Sequence, residues 1–107
     1  MTWSIVAKDL KTGAIGIAVT TCAFAVGARV PYGAARIGAV ATQSFVNPLY
    51  GIDGLSLLKE GYSAEDVLAL VTAADPGKAL RQAHMIDRDG RTAAFTGDEC
   101  VPWCGSV

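Results

Sequence analysis

Two short apolar runs open this chain, separated by one polar turn, and that arrangement leaves few folds available. Thr2–Ala7 is apolar, carries β-branched residues and contains no breaker. Lys8-Asp9-Leu10-Lys11-Thr12-Gly13 follows, polar and closed by a glycine that can take positive φ. Ala14–Thr21 is a second run of the same kind. Each run is too short for a stable helix and suits a strand, so the pair reads as an antiparallel hairpin. Its alternating small and large side chains suit a sheet packed on both faces.

The same reading extends along the chain. Phe24–Pro31 is a connection punctuated by Gly and Pro, and Arg36–Gln43 reads as a third strand. Asn47-Pro48 signals a turn. A first helix covers Ile52–Glu60, with Leu55 and Leu58 three apart and Gly61 as its stop. Ser63 is the expected N-cap of a second helix, with Asp66 at the capping-box position. Val67, Leu68, Leu70 and Val71 form its expected apolar face, and Asp75-Pro76-Gly77 ends it. Gln82–Asp87 and Arg91–Thr96 are two further strands, with Asp89-Gly90 predicting a two-residue hairpin between them. Strands come in hairpins around an inserted helical pair, which predicts an α+β fold with antiparallel sheet.

Composition narrows the function classes. The 107 residues are 51 % hydrophobic and only 18 % charged, with a net charge of −1. No Lys/Arg cluster is present, so no nucleic-acid partner is expected. No apolar stretch reaches the about 20 residues that span a bilayer, and no basic segment followed by an apolar core opens the chain. The expectations are no membrane partner and a cytoplasmic location. So few charges leave much apolar surface, which predicts a homo-oligomer or pairing with further protein.

Cofactor and metal motifs are absent. Gly13-Ala14-Ile15-Gly16 lacks the spacing of a phosphate loop and precedes no helix. Cys100 and Cys104 are spaced CxxxC with no second pair, and Cys22 and the single histidine, His84, stand alone. Neither zinc nor a redox dithiol is expected. No GxSxG supports a relay between His84 and Ser44.

Thr2 carries the remaining chemistry. Removal of Met1 would leave a threonine with a hydroxyl and a free α-amine, a nucleophile and base in one residue. The amine's reference pKa of roughly 7.7–8.0 leaves a useful unprotonated fraction at neutral pH. An ordinary strand-opening threonine is the alternative.

Thr2-Trp3-Ser4-Ile5-Val6-Ala7, Gly16-Ile17-Ala18-Val19, Phe24-Ala25-Val26-Gly27, Val30-Pro31, Gly38-Ala39-Val40-Ala41-Thr42-Gln43, Asn47-Pro48-x-Tyr50-Gly51, Gly54-Leu55, Arg81-Gln82 and Thr96-Gly97 together resemble the DUF1028 family. That family is generally regarded as like the amino-terminal-nucleophile (Ntn) hydrolases. The resemblance implies a proteasome-like αββα sandwich of two antiparallel sheets, of which this chain is the N-terminal half. It implies amide hydrolysis with Thr2 as catalytic residue, acting on a small-molecule or peptide-like amide. Backbone N–H groups and the amides of Gln43 or Asn47 are candidate oxyanion donors. Arg29 is a candidate for lowering the amine's pKa, and Thr42 and Ser44 are candidate pocket residues beside Gln43. Proteasome-type subunits place an Asp and a Lys near the nucleophile, whereas this chain has Thr20-Thr21-Cys22 and, as basic candidates, Arg29 and Arg36. A non-catalytic binding or assembly protein on the same fold is therefore the competing reading.

Overall fold

A computed structural model describes all residues, Met1 to Val107. Six strands and two helices run in the order β1 (Thr2–Lys8), β2 (Ile15–Thr21), β3 (Pro31–Ala34), β4 (Gly38–Ser44), α1 (Pro48–Glu60), α2 (Ala64–Ala73), β5 (Arg81–Ile86) and β6 (Thr92–Thr96). β1 and β2 form a two-stranded sheet, and β3-β4-β5-β6 form a four-stranded sheet in that order. All pairings are antiparallel. The fold is α+β, in three layers: the hairpin on one face of the larger sheet, the helices on the other.

Strand alternation divides the larger sheet cleanly. Val40, Ala83 and Met85 point toward the helices and join Tyr50, Leu58, Ala64, Val67, Leu68 and Val71 in the main core. Ala41, Gln43, Gln82 and His84 take the other parity and face the hairpin. Toward them the hairpin turns Thr2, Ser4, Val6 and Lys8, with Ile15, Ile17, Val19 and Thr21 from β2. Lys8 closes this interface at its far end, its ammonium donating to the carbonyls of Asp87 and Arg88. The hairpin's outer face is uncovered. Trp3 and Ile5 are 69 % and 63 % exposed there, so only one of the two faces that the sequence suggests is packed within this chain.

Local chemistry explains the elements. The β1–β2 turn is held by the Asp9 carboxylate, which accepts from the Lys11 N–H and the Thr12 hydroxyl, and by Gly13 at φ 75. Helix α1 starts four residues before the expected Ile52. Asn47 is its N-cap, accepting from the Leu49 N–H, and Pro48 fills the first position, where a missing N–H costs nothing. Gly51 is buried against the Tyr32 ring, which leaves no room for a side chain. Gly61, at φ 104, ends α1 as expected.

In α2 the Ser63 hydroxyl accepts from the Asp66 N–H, as the sequence predicts. Its buried face is Ala64, Val67, Leu68, Val71 and Thr72; Leu70 instead points outward, 48 % exposed. The i, i+3, i+4, i+7 series from Ala64 sets the stripe, and Leu70 lies off it.

Two further differences separate structure from sequence. β3 begins at Pro31, the end of the expected connection, and runs through residues for which the sequence predicts no element. It is short, contains Pro31 and Gly33, and sits at the sheet's edge, where proline's missing N–H is tolerated. The β5–β6 connection is one residue longer than a two-residue hairpin. The Asp87 N–H donates to the Arg91 carbonyl and the Gly90 N–H to the Asp87 carbonyl, leaving Arg88-Asp89-Gly90 as the loop. Gly90 takes φ 83, the left-handed position of a three-residue hairpin.

Candidate active site

At the Thr2 end of the interface the two sheets part around an open cleft of about 310 Å³. Thr2, Thr21, Arg29, Gln43 and Ser44 supply its polar lining, and Phe45 is its largest apolar side chain. Four segments place the polar residues: Thr2 opens β1, Thr21 closes β2, Gln43 and Ser44 end β4, and Arg29 follows a short 3-10 turn at Val26–Ala28. Ser44 holds a left-handed backbone at φ 67 and Ala25, beside the lining residue Val26, at φ 58. Non-glycine residues in this region are strained by about 1–3 kcal/mol and cluster at functional sites.

Thr2 and Thr21 face each other across the first rung of the hairpin. The Thr2 hydroxyl donates to the Thr21 hydroxyl at 3.0 Å, and Thr21 donates onward to the Met1 carbonyl at 3.0 Å. No acid or lysine side chain hydrogen-bonds to either threonine. Arg29 is exposed and forms no ion pair, which leaves its guanidinium open to an anionic group entering the cleft.

Four of the six residues expected at the site, Thr2, Arg29, Gln43 and Ser44, thus surround one cleft. The other two do not. Thr42 has the opposite strand parity to Gln43. It is buried on the helix side, where its hydroxyl donates to the Asn47 carbonyl at 3.4 Å. Asn47 spends its side chain on structure, capping α1 through Oδ1 and donating from Nδ2 to Asp75 at 3.1 Å. It is not among the residues that line the cleft. The Gln43 amide is also committed, donating to the Thr2 carbonyl at 3.3 Å and to Gln82 Oε1 at 2.7 Å.

The residue that sequence reasoning missed is Asp75. It is buried, pairs with Arg81 Nε at 2.9 Å, and accepts from the Gly77 N–H and from Asn47. Arg81 in turn donates to the Phe45 carbonyl at 2.9 Å. The cluster therefore ties the cleft wall at Phe45 to the α1 cap and to the turn after α2. The Arg81 guanidinium, with the Gly77 and Asn47 donors, outweighs burial and holds the Asp75 carboxyl far below its usual range. Burial and then the Asp75 charge push the nearby Tyr50 hydroxyl well up. That hydroxyl is buried without a hydrogen-bond partner. The only signals in the sequence are an Asp in a helix-ending Asp-Pro-Gly and an Arg just ahead of the next expected strand.

Asp87 plays a parallel part away from the cleft. Burial works against its charge. Donation from the N–H groups of Ala64, Arg91 and Asp89 and from the Arg91 guanidinium outweighs it and lowers the pKa. The Cys100 thiol donates to the Arg81 carbonyl at 3.3 Å, and Cys22 and Cys104 are exposed and free. No helix is long and apolar enough to cross a membrane.

The model of the "Family of unknown function (DUF1028)" matches residues 2–107, nearly the whole chain. The chain belongs to the DUF1028 family. A crystal structure of a DUF1028 protein from Silicibacter pomeroyi superposes with a TM-score of 0.94 at 40% sequence identity. The match covers 99% of this chain and 49% of that protein, so the chain spans about half the length of this family member. No curated protein matches.

Proposed function

We propose that this DUF1028 chain carries the nucleophile of an Ntn-type amide hydrolase, with Thr2 as the catalytic residue once Met1 is removed. The observation that carries the reading is the Thr2 hydroxyl, which lines the cleft beside Arg29 and donates to Thr21. In the reaction Thr2 Oγ1 adds to the substrate carbonyl while the α-amine takes the hydroxyl proton. The C–N bond breaks as the amine returns that proton to the leaving nitrogen, leaving an ester on Thr2. Water then adds to the ester and releases the acid. Arg29 disfavours the ammonium form of the α-amine and receives an anionic part of a small-molecule or peptide-like amide. With the Gln43 amide committed and Asn47 outside the cleft lining, backbone N–H groups are left as the oxyanion donors. No cofactor enters this scheme.

A specific observation favours a second reading, a non-catalytic binding or assembly protein. No acid or lysine side chain hydrogen-bonds to Thr2 or Thr21. Intact mass and covalent labelling separate the two. Loss of Met1 with a β-lactone probe attached to Thr2 supports catalysis. Retained Met1, or no labelling across an amide and lactone panel, supports the second reading.

We also propose that further protein covers the outer face of the hairpin. The uncovered Trp3 and Ile5 and the doubled length of the Silicibacter pomeroyi protein support this. The extra half of the family's chain is the natural occupant, and without it a second copy takes its place.

A further inference from the structure

Ser4 and His84 look like a second nucleophile and base. Ser4 Oγ lies 2.7 Å from His84 Nε2, between the two sheets and two rungs below Thr2 on the same face of the hairpin. The direction of the proton in that contact decides what the pair can do, and the surrounding hydrogen bonds determine it.

Two backbone carbonyls, which can only accept, anchor the assignment. The Gly105 carbonyl sits 3.1 Å from Gln82 Nε2, so this end of the Gln82 amide must be NH₂. Its oxygen then faces Gln43 at 2.7 Å, and the facing Gln43 atom must donate. That same Gln43 atom lies 3.3 Å from the Thr2 carbonyl, which independently demands NH₂ there. Gln43 Oε1 is consequently the atom turned toward Ser4, and the single Ser4 hydroxyl proton must go to it. With that proton spent, Ser4 Oγ can only accept from His84, and Nε2 must carry the hydrogen.

We infer that His84 is held with its proton on Nε2 and donates to Ser4, so that Ser4 and Gln43 relay a one-way hydrogen-bond chain to the Thr2 carbonyl. Ser4 is then a positioning residue for Thr2 and not a nucleophile, because a base that already donates cannot receive its proton. The chain reaches the main chain of Thr2 itself, so it sets the orientation from which that side chain enters the cleft. This last step rests on the role proposed for Thr2; the proton assignment does not.

His84 is the only histidine, so its ring can be read without assignment. Long-range ¹H–¹⁵N correlation on the unmodified protein at pH 8 should show a protonated Nε2 and an unprotonated Nδ1. The opposite tautomer would overturn the inference even if Thr2 proves unreactive. A fluorophosphonate should leave Ser4 unmodified, and labelling there would overturn it too. In the labelling assay at Thr2, Ser4→Ala should lower the maximal rate about tenfold with little change in half-saturating probe concentration, and Ser4→Thr should restore most of it. An unchanged maximal rate in folded Ser4→Ala would remove the positioning role while leaving the tautomer result standing.

Discussion

The hydroxyls of Thr2 and Thr21 lie 3.0 Å apart on directly opposed residues of one hairpin, with Thr2 donating. Where an Ntn hydrolase of the proteasome type would offer a charged group, this chain offers a second hydroxyl. Removal of Met1 would take away the carbonyl that Thr21 now donates to and leave the new α-amine in its neighbourhood.

Thr21→Val keeps the shape of the side chain and deletes the acceptor. One neutral hydrogen bond is worth about 1 kcal/mol, or roughly a five- to tenfold rate effect if made in the transition state. Labelling of Thr2 should slow by that factor, and Thr21→Ser should label near the original rate.

Gly90 sits at φ 83, and a Cβ there would also press on the Leu10 side chain. Gly90→Ala should destabilise the protein by about 1 kcal/mol or more. Thermal unfolding checks this: Tm should fall by several degrees. An unchanged Tm would mean that the loop relaxes to another turn.

Much of this architecture was legible beforehand, for identifiable reasons. The β1–β2 hairpin, the Ser63 cap and the Gly61 stop each rest on local chemistry between residues close in sequence. β3 was missed because Pro31 and Gly33 hide an edge strand that exists only through pairing with β4. The site was half legible. Thr2, Arg29, Gln43 and Ser44 converge on the cleft, but Thr42 and Asn47 were grouped with them by adjacency in sequence, which strand alternation and helix capping override. The Ser4–His84 contact joins strands far apart in sequence that only the tertiary fold brings together. Asp75 and Arg81 lie close in sequence, but the turn at Lys78–Leu80 that folds one back onto the other carries no capping or strand pattern that marks the pair.

Asp75→Asn removes the partner of a largely buried Arg81 and weakens the tie to Phe45. Breaking one member of such a pair costs about 3–5 kcal/mol when both are buried. Because Arg81 keeps some exposure, about 2–3 kcal/mol is expected here. Urea unfolding of the single and double variants with Arg81→Met should show strong coupling between the two positions.

Acid should destabilise the protein in two stages. Burial lowers the pKa of His84, so the unfolded chain binds its proton first. That contribution is complete above about pH 6.5 and is lost as the pH falls toward the folded value. Asp75 and Asp87 are also lowered, so their contributions are complete above the usual carboxylate pKa of about 4 and are lost below it. His84→Gln should flatten the first stage and leave the second. Equilibrium denaturation between pH 8 and pH 3 reads both.

The outer face of the hairpin predicts association. Sedimentation at micromolar concentration should find a dimer or larger species for the 107-residue chain, and Trp3→Ser with Ile5→Ser should shift it toward monomer. A monomer that binds no hydrophobic dye would argue against a covered outer face.

Lys8 gives the strand that carries Thr2 a second point of attachment. Its ammonium grips the carbonyls of Asp87 and Arg88, at the entrance to the β5–β6 loop, while Gln43 grips the Thr2 carbonyl at the opposite end. β1 is thus a beam clamped at both ends on the larger sheet, and directional bonds, unlike apolar contact, resist sliding. Loss of the Lys8 clamp would leave only the ties at Ser4 and the Thr2 carbonyl to hold the strand in register. All of the remaining polar attachment would then lie in the half of β1 that borders the cleft.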